Sequence, residues 1–428
     1  LVERPNVLTG RFEEAFLEVP QECLILTMKA NQKYFPLLDA ANKLTNQFLV
    51  VSNITPDDAS LVIGGNERVV RPRLADAKFF FDQDRKKTLA SRVEGLGKVV
   101  YHNKLGTQGE RMERVRAIAK AIAAQLGDAT LVAQADQAAQ LAKTDLVTDM
   151  VGEFPELQGI MGGYYALNDG LGETVAHAIE DHYKPRFAGD TLPRGAAGIV
   201  VALADKLETL AGLFGIGQLP TGDKDPFALR RHALGVVRML SDQGVELFMG
   251  LDELVELAFE QFPNASQVAP AQLIEFVMDR LAGMLREQGY SAQEVDAVLT
   301  LRPQRLGDVA KRLVAVRAFA ALPESPALAA ANKRIGNILK KTDDVDAHVS
   351  TILLQEAAEK ALYAAMQNVL PQAQSQWEAG DYTASLQSLA ALRVPVDAFF
   401  EDVMVNADAL DLRLNRLGLL KSLHVAMN

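Results

Sequence analysis

Six histidines are the side chains in this sequence best suited to bind a transition metal or to exchange protons near neutral pH. They are His102, His177, His182, His232, His348 and His424. No two of them form a His-x3-His pair, and Cys23 is the only cysteine. Because zinc sites are built from closely spaced His and Cys ligands, a zinc site is not expected here.

Motifs for nucleophilic or nucleotide chemistry are also missing. The sequence contains no Gly-x-Ser-x-Gly elbow, no Walker A loop and no Gly-x-Gly-x-x-Gly fingerprint. Cys23 lies in an apolar run, where a buried structural thiol is expected rather than a reactive one. No residue of this chain is therefore predicted to be catalytic.

The order Thr144-Asp145, then His177 and His182, then Asp205 resembles the helical HD phosphohydrolase superfamily. In that superfamily a His, a His-Asp doublet and a distant Asp hold a metal ion that activates water. Thr144 stands where the doublet has its histidine, and no upstream histidine is in place. A divalent cation that loses two imidazole ligands loses most of its affinity. The resemblance therefore implies a degenerate, metal-free HD-like scaffold, and an active metal-dependent phosphohydrolase is the alternative.

The stretch Lys143–Ala166 combines the end of an apolar helix, a proline-containing segment and a Gly-Gly pair. Phe154 precedes the proline and is pushed out of the α conformation, so a helix should end there. Asp145, Asp149 and Glu153 would share one helical face because they are four residues apart. They either face a cation or are solvated.

A buried acid is expected further along, since Asp205 lies in the middle of the apolar helix Ile199–Leu213. Burying an unpaired carboxylate costs several kcal/mol, so Asp205 needs a partner. Lys206 is adjacent to it and therefore lies on a different side of the helix. The partner must come from another element.

At 428 residues the chain exceeds one typical domain and predicts two to four. Hydrophobic residues make up 49% of it, and no apolar run is long enough to cross a bilayer, so a membrane is not an expected partner. A single cysteine fits a reducing, cytoplasmic compartment. The sequence opens at Leu1 rather than Met, which favours a piece of a longer protein.

The spacing of apolar residues predicts a mainly α, multi-domain fold with a short α/β segment at the N-terminus. There, Cys23–Met28 and Gln47–Ile54 are typical of strands, Gly64–Gly65 of a turn, and Val69–Asp84 of a basic strand followed by a helix. Asp225 followed by proline predicts a helix start. The expected divisions are 1–90 (α/β segment), 91–225 (HD-like helical domain), 226–320 (helical linker region) and 321–428 (C-terminal helical domain).

The charge of the chain is uneven. The whole sequence carries −11, whereas residues 302–341 contain nine basic and two acidic residues, a local charge of +7. An acidic chain lacks the general basic face that nonspecific nucleic-acid binding requires, so DNA is not an expected partner. The basic window indicates either a localised polyanion contact or a solvated helix face. Arg71 and Arg73 are a further candidate, either for phosphate or for ion pairs.

Eight blocks of sequence, taken in order, form a specific pattern. They are TMKANQKYFPL (Thr27–Leu37), VVSNI (Val50–Ile54), RPRLADAKFFFDQD (Arg71–Asp84), KLGTQGER (Lys104–Arg111), the stretch Lys143–Ala166, HYKPRFAGDTLP (His182–Pro193), ADKLETLAGLFGIGQLPTGDKDPFALRR (Ala204–Arg231) and ANKRIGNIL (Ala331–Leu339). Together they resemble the beta subunit of the bacterial heterotetrameric glycyl-tRNA synthetase. The resemblance runs from one end of the chain to the other.

That resemblance implies an α2β2 enzyme that joins glycine to tRNA-Gly at the expense of ATP. It implies that the alpha subunit forms glycyl-adenylate, with ATP and Mg bound there and no cofactor on this chain. This chain would be the non-catalytic, tRNA-binding subunit, with a C-terminal helical-bundle anticodon-binding domain whose pattern is found in Val394–Leu420. A purely structural assembly subunit without RNA contact is a further alternative.

The implied role selects candidates for tRNA contact by charge and position. They are Arg230, Arg231, Lys333, Arg334, Lys340, Lys341, Arg413, Asn415 and Arg416. Unstacked anticodon bases favour cationic groups combined with amide or aromatic groups. Each candidate is also able to pair with a neighbouring side chain, and the sequence leaves that choice open.

Overall fold

The computed structural model describes residues 2–127, 129–241, 249–342 and 345–427. The chain divides into two compact units, residues 1–281 and 282–428. Helices dominate both units, which confirms the predicted mainly α, multi-domain fold. The finer four-part division at residues 90, 225 and 320 stays a prediction. Across the described ranges no single helix is long and apolar enough to span a bilayer, and one bent pair, Leu306–Ala320 with Ser325–Leu339, meets that test by length and composition only.

The first unit begins with a three-stranded antiparallel sheet. Its strands are β1 (Asn6–Arg11), β2 (Phe35–Leu38) and β3 (Leu44–Ser52), in the spatial order β1-β3-β2. Gly10 of β1 is paired with Phe48 of β3, whose side chain is fully buried. A Cβ at position 10 would lie 2.5 Å from the Cζ atom of that ring, so glycine lets β1 close over the aromatic core.

Helices make up most of the remaining elements of this unit. Its helices are α1 (Gln21–Gln32), α2 (Ala59–Asp84), α3 (Gln108–Gln125), α4 (Ala129–Leu141), α5 (Asp149–Glu153), α6 (Ile160–Asn168), α7 (Glu173–Asp181), α8 (Gly195–Gly215), α9 (Leu229–Ser241), α10 (Leu251–Phe259) and α11 (Ala269–Glu287), which runs past residue 281. Two short strands, β4 (Val100–His102) and β5 (Gly106–Thr107), form a hairpin before α3. Short 3₁₀ turns occur at Glu14–Glu18, Ala90–Lys98, Thr144–Val147 and Pro155–Leu157.

The prediction of a strand at Cys23–Met28 is wrong, because these residues lie in helix α1. Their buried members are Cys23, Leu24, Thr27 and Met28, a spacing of one helical face rather than the alternation of a strand. A continuous apolar run does not distinguish a short strand from a buried helix. The burial predicted for Cys23 is confirmed.

The turn at Gly64–Gly65 and the strand after it are also wrong. Both fall within the single helix α2, which begins after Asp58, whose carboxylate accepts the Ser60 N–H. The helix continues through Pro72, and its buried residues are Val70, Leu74, Ala77, Phe81 and Asp84. Their three- and four-residue spacing places one face against the core, and that packing offsets the propensity cost of the glycines and the proline.

Helix α8 forms the centre of the first unit. Every residue from Ala197 to Phe214 is buried, and α3, α4, α7, α9 and α10 all pack against it. Its glycines allow close approach: a Cβ on Gly198 would lie 3.3 Å from Pro193, and one on Gly212 would lie 3.0 Å from the Phe262 ring. A charged residue on this helix is therefore removed from water and needs partners from the surrounding helices.

Two helix boundaries can be compared with the predictions: the end of α5 agrees, and the start of α9 does not. Helix α5 ends at Glu153 and Phe154 leaves the helical conformation before the proline, as predicted. Helix α9 begins at Leu229 rather than directly after Asp225, so the predicted start is wrong. Asp225 still caps it, because its carboxylate oxygens accept the N–H groups of Leu229 and Arg230 at 2.8 and 2.9 Å.

The second unit is helical throughout its described residues. Its helices are α12 (Ala292–Leu299), α13 (Val309–Ala320), α14 (Ser325–Leu339), α15 (Ala357–Glu378), α16 (Tyr382–Leu389), α17 (Arg393–Asp402) and α18 (Leu410–Met427), with 3₁₀ turns at Leu306–Asp308, Thr351–Leu353 and Ala390–Leu392. Ser291 and Glu294 form a capping box at the start of α12. The buried core includes Ile335, Leu362, Phe399 and Leu420.

Helix α13 is held to α15 and α16 by a cation that contacts two aromatic rings. The Arg312 guanidinium carbon lies 5.1 Å from the ring centroids of both Trp377 and Tyr382. The two rings contact each other edge to face, with centroids 4.7 Å apart. Such stacking contributes packing area as well as electrostatic attraction.

Candidate functional site

The predicted HD-like residues surround a buried group of charges in the first unit. Asp205, in the middle of α8, is the centre of this buried ionic cluster. Its Oδ1 atom lies 3.0 Å from a guanidinium nitrogen of Arg111 and 3.3 Å from the ammonium of Lys143. All three side chains are at least nine-tenths buried. The expectation that the partner of Asp205 comes from other elements is confirmed.

Arg111 joins two turns of α8. Its Nε donates to Glu208 at 2.8 Å, and a terminal nitrogen donates to the Thr209 hydroxyl at 2.7 Å. Arg114, one turn along α3, donates from its Nε to the other oxygen of Glu208. The two carboxylates of α8 are thus neutralised by the arginines of α3, which fixes the packing of these two helices.

Lys143 reaches Asp205 across the face of an aromatic ring. Its ammonium lies 3.7 Å from the ring centroid of Tyr183. Burial lowers the pKa of Lys143 to about 8, because the favourable effect of Asp205 only partly offsets the loss of water. Burial by itself would raise the pKa of Asp205, but Arg111 and Lys143 hold that pKa well below its ordinary value. Both groups are therefore charged at neutral pH.

Asp145 does not lie on one helix with Asp149 and Glu153, so the predicted acidic face is wrong. It belongs to the 3₁₀ turn Thr144–Val147, and an extended Thr148 separates that turn from α5. Its Oδ2 atom accepts the N–H groups of Gly159 and Gly162, and a Cβ on Gly162 would lie 3.2 Å from it. Burial raises the pKa of Asp145 to about 6.

The other HD-like residues have separate roles. Thr144 is buried and donates its hydroxyl to the Leu141 carbonyl at 2.6 Å. His182 is buried with its Nδ1 against the Ile179 carbonyl, and burial followed by the nearby Lys143 ammonium lowers its pKa well below the ordinary value. His177 is half-buried on α7 and makes none of the contacts that the structure describes for the ionic cluster.

The residues present do not fit a divalent metal. The carboxylate of Asp205 is already neutralised by two cations of the protein itself, and those cations would repel a metal ion. The Oδ1 of Asp145 and the Nε2 of His182 are buried and have no partner among the described residues, but they do not complete a ligand set. In the part of the chain that the structure describes, no three His, Cys, Asp or Glu side chains are grouped to hold a metal.

A second candidate surface lies on helix α14. Lys333, Arg334, Asn337, Lys340 and Lys341 are all exposed. They recur at intervals of one helical turn, so they form one stripe along α14 and its C-terminal end, called here the α14 stripe. Within the described ranges, the three lysines form no ion pair with an acidic side chain. This surface combines four cations with one amide.

An aromatic ring holds one member of the α14 stripe in place. The guanidinium carbon of Arg334 lies 4.3 Å from the ring centroid of Phe400 on α17. On the neighbouring α18, Lys421 lies near His424, and burial followed by Lys421 and Lys340 lowers the pKa of that histidine. Lys421 therefore extends the cationic surface beyond α14. Arginine on an aromatic face is a common platform for nucleobases and phosphates.

Two of the residues predicted to contact tRNA are buried in the second unit and bind other groups of the protein. Asn415 is buried and bridges Ser350, accepting its N–H at 2.7 Å and donating to its carbonyl at 3.1 Å. Arg416 is buried against the fully buried Glu359 and donates to the Met404 carbonyl. These side chains hold α18 to α15 and to the loops. Arg413 is half-buried on the same helix.

Among the candidate RNA- or phosphate-binding arginines of the first unit, two bind other groups of the protein and two are exposed. Arg230 is half-buried and donates to the Gly222 carbonyl, whereas Arg231 is exposed. Arg71 forms an ion pair with Glu13, which favours the structural alternative for that residue. Arg73 is exposed on α2.

Comparison with known proteins identifies the family. A family model described as "Glycyl-tRNA synthetase beta subunit" matches residues 1–300. The chain belongs to the glycyl-tRNA synthetase beta subunit family. A second model, described as "DALR anticodon binding domain", matches residues 328–428 and therefore contains most of α14 and all of α15 to α18.

Curated relatives agree with this membership of the glycyl-tRNA synthetase beta subunit family. The chain is 75% identical to the glycine–tRNA ligase beta subunit of Delftia acidovorans, 74% to that of Paracidovorax citrulli and 66% to that of Methylobacillus flagellatus. Each alignment covers the whole chain and 60–61% of the relative. The chain thus spans about three-fifths of the length of these relatives.

Reasoning from the sequence missed several residues of the ionic cluster and of the cationic surface. Arg111 and Lys143 were not selected as partners of Asp205, because they lie 94 and 62 positions before it. Asn337 and Lys421 were not selected although both lie on predicted helices. For Asn337 the signal was available, since it follows Lys333 by four residues and precedes Lys341 by four.

Proposed function

We propose that this chain is the tRNA-binding subunit of a glycine–tRNA ligase, which joins glycine to tRNA-Gly with ATP and releases AMP and diphosphate. Family membership supports the reaction. Because the relatives are beta subunits, a partner alpha subunit is part of the proposal. In it, two alpha and two beta subunits assemble in the cytoplasm, and the alpha subunit holds ATP and Mg and forms glycyl-adenylate.

The observation that carries the RNA-binding role is the α14 stripe. Its lysines are exposed, they lie on one helical face, and they fall in the region matched by an anticodon-binding domain model. Four cations are concentrated on one helical face, and the three lysines among them have no acidic partner among the described residues, which favours a polyanion. The net charge of the chain is −11, so this local excess of positive charge does not follow from the overall composition.

The stripe offers two kinds of contact in this proposal. Lys333, Lys340 and Lys341 neutralise backbone phosphates, which supplies affinity and salt dependence but little sequence preference. Arg334, held on the Phe400 ring, and the Asn337 amide meet the edges or faces of unpaired anticodon bases. Arg413 and Lys421 on α18 border this surface, whereas Asn415 and Arg416 act by positioning α18 from within.

A tRNA titration with charge-reversal variants tests the proposal. The variant Lys333→Glu with Arg334→Glu should bind a tRNA-Gly transcript at least tenfold more weakly than the wild-type chain in 100 mM salt. The slope of log affinity against log salt should fall by about 1, for the phosphate contact of Lys333. Thermal unfolding should change little, because both side chains are exposed and the Arg334–Phe400 contact is worth about 0.5–1 kcal/mol.

A matched control keeps the same change in net charge. Lys86 and Lys87 are an adjacent exposed pair in the first unit, and the variant Lys86→Glu with Lys87→Glu should bind tRNA within twofold of wild type. Equal losses in the two double variants would remove the α14 stripe from the interface. Glycylation of tRNA by the purified chain without an alpha subunit would contradict the proposed division of labour.

A further inference from the structure

The loop of residues 185–190 presents an exposed aromatic ring on the first unit. Pro185 and Asp190 are buried, and the four residues between them are all exposed. At the tip, the Phe187 side chain is 58% exposed. An exposed aromatic ring at a loop tip offers a flat face on which a nucleobase can stack.

Backbone and side-chain hydrogen bonds fix the shape of this 185–190 loop. The Asp190 carboxylate accepts the N–H groups of Arg186 and Thr191 at 2.8 and 3.0 Å, and the Phe187 carbonyl accepts the Asp190 N–H. From α9, Arg238 donates to the carbonyls of Phe187 and Asp190 at 3.3 and 2.7 Å. The tip is therefore preorganised, although residues 186–189 are exposed.

Hydrogen bonds also fix the residues before and after the loop. The buried ammonium of Lys206 donates to the carbonyls of residues 182, 183 and 184, the shortest bond being 2.8 Å to Lys184. On the other side, the fully buried Asp181 carboxylate accepts the Arg194 N–H and two guanidinium hydrogens. Such bonding lowers the entropy lost when the loop meets a ligand.

In two ion pairs near the loop, the carboxylate is buried and its guanidinium partner is exposed. The carboxylate of Asp190 is 7% exposed and that of Asp181 is fully buried, whereas their partners Arg186 and Arg194 are 53% and 44% exposed. In these two pairs the acid lies inside and the guanidinium group faces water. Arg194 also pairs with Glu180, whose side chain is 33% exposed, so the exposed positive charge beside the ring comes from Arg186.

Helix α9 supplies a further cation on the same side. Gly235 of α9 faces Lys206 and Pro185, since a Cβ there would lie 2.7 Å from the lysine and 3.5 Å from the proline. Arg231 and Arg238 are four residues before and three residues after Gly235, so all three share one face of α9. Arg231 is exposed, which places its charge one helical turn from the base of the loop.

We infer that the 185–190 loop binds RNA, with one unpaired nucleotide stacked on Phe187 and its phosphates against Arg186 and Arg231. This inference rests on the proposed tRNA-binding role and adds a second contact, remote in sequence from the α14 stripe. Stacking on an aromatic ring accepts any base, and guanidinium groups accept phosphate oxygens. RNA is favoured over a protein partner because Arg186 and Arg231 are exposed cations on this side of the unit, and the acid that pairs with Arg186 is buried.

A stacking-sensitive titration of the whole chain tests the inference. Phe187→Ala should weaken binding of a tRNA-Gly transcript by about tenfold, and Phe187→Trp should restore it. The salt slope should be unchanged, since no charge is lost. A six-nucleotide single-stranded RNA that carries 2-aminopurine should lose fluorescence on binding the wild-type and Trp variants, and keep it with the Ala variant.

Val100→Ala is the matched control, because Val100 is 74% exposed on the same unit and lies outside the loop. Binding of Phe187→Ala within twofold of wild type would overturn the inference. So would an Ala variant that keeps its tRNA affinity but fails to assemble with an alpha subunit, since the ring would then contact protein. The α14 double variant tests the proposed function independently: if it weakens binding and Phe187→Ala does not, only the loop inference fails.

Discussion

Lys143 and Arg111 approach the same oxygen of Asp205, at 3.3 and 3.0 Å. In the HD arrangement that the sequence resembles, a carboxylate at this point holds a metal. Here two cations of the protein compensate the buried charge, and the cluster joins α3, α8 and the segment before Asp145. The cluster therefore contributes to the packing of these helices.

Replacing Lys143 by methionine should destabilise the chain strongly. The change keeps the side-chain volume but leaves the buried Asp205 with one cation, and breaking a buried ion pair costs about 3–5 kcal/mol. Urea unfolding followed by circular dichroism measures the loss. Lys120→Met is the control, because Lys120 is 47% exposed and lies 3.8 Å from Asp136, a surface pair worth about 0–1 kcal/mol. Equal effects of the two variants would show that the cluster does not stabilise the fold.

The variant Asp145→Asn should change how stability depends on pH. The pKa of Asp145 is raised to about 6 by burial, so between pH 4 and 6 the folded chain binds more protons than the unfolded one. The free energy of unfolding contributed by this group therefore falls as the pH rises through that window. Asparagine does not titrate and keeps an oxygen for the Gly159 and Gly162 N–H groups. From pH 4 to 7 the variant should gain about 2 kcal/mol relative to wild type. Parallel stability curves for the two proteins, from urea unfolding at each pH, would contradict this.

Arg416→Met should act on folding of the second unit rather than directly on RNA. The change leaves Glu359 buried without its cation and should cost about 3 kcal/mol or more. Arg413→Met, three residues away and half-buried, should remain within about 0.5 kcal/mol of wild type. Thermal melts of both variants, with tRNA titrations well below the melting temperature, separate the two effects. Full stability of Arg416→Met combined with lost tRNA binding would return Arg416 to the interface.

Two glycine substitutions should have opposite signs. Gly65 lies inside α2, and no atom lies within 4 Å of the position that a Cβ would take there, so Gly65→Ala should stabilise the chain by about 0.5–1 kcal/mol. Gly10→Ala would press a Cβ against the buried Phe48 ring and should cost about 1–3 kcal/mol. Chemical denaturation of both variants measures the difference. A destabilising Gly65→Ala would favour the turn that the sequence suggested at that position.

The sequence predicted α8 well, because an apolar helical pattern extends over Ile199–Leu213, and it predicted structure poorly where apolar residues were continuous. Cys23–Met28 and Gly64–Gly65 were assigned by local propensity, and tertiary packing on one helical face decided otherwise. The need of Asp205 for a partner followed from its burial. The identity of that partner did not, because contacts between residues 111, 143 and 205 depend on how three helical segments pack.

The candidate RNA contacts also show that a single sequence does not reveal contacts between residues that are distant in the chain. Charge and position selected Lys333, Arg334 and Arg416 equally, yet Arg416 is buried with Glu359 and the other two are exposed. Burial of a cation beside a distant acid leaves no signal in a single sequence. The exposed Phe187 was not selected for the converse reason, since an aromatic residue in a sequence is expected inside the fold.

The contact of Arg312 with Trp377 and Tyr382 has a practical consequence for dissecting the chain. The anticodon-binding match begins at residue 328, but the guanidinium that lies against both rings is contributed by α13. A fragment cut at the start of that match would present an uncovered indole to solvent and be prone to self-association. A fragment that starts before Ser291 would include Arg312, which covers those rings, and is the better choice for isolating this part of the protein.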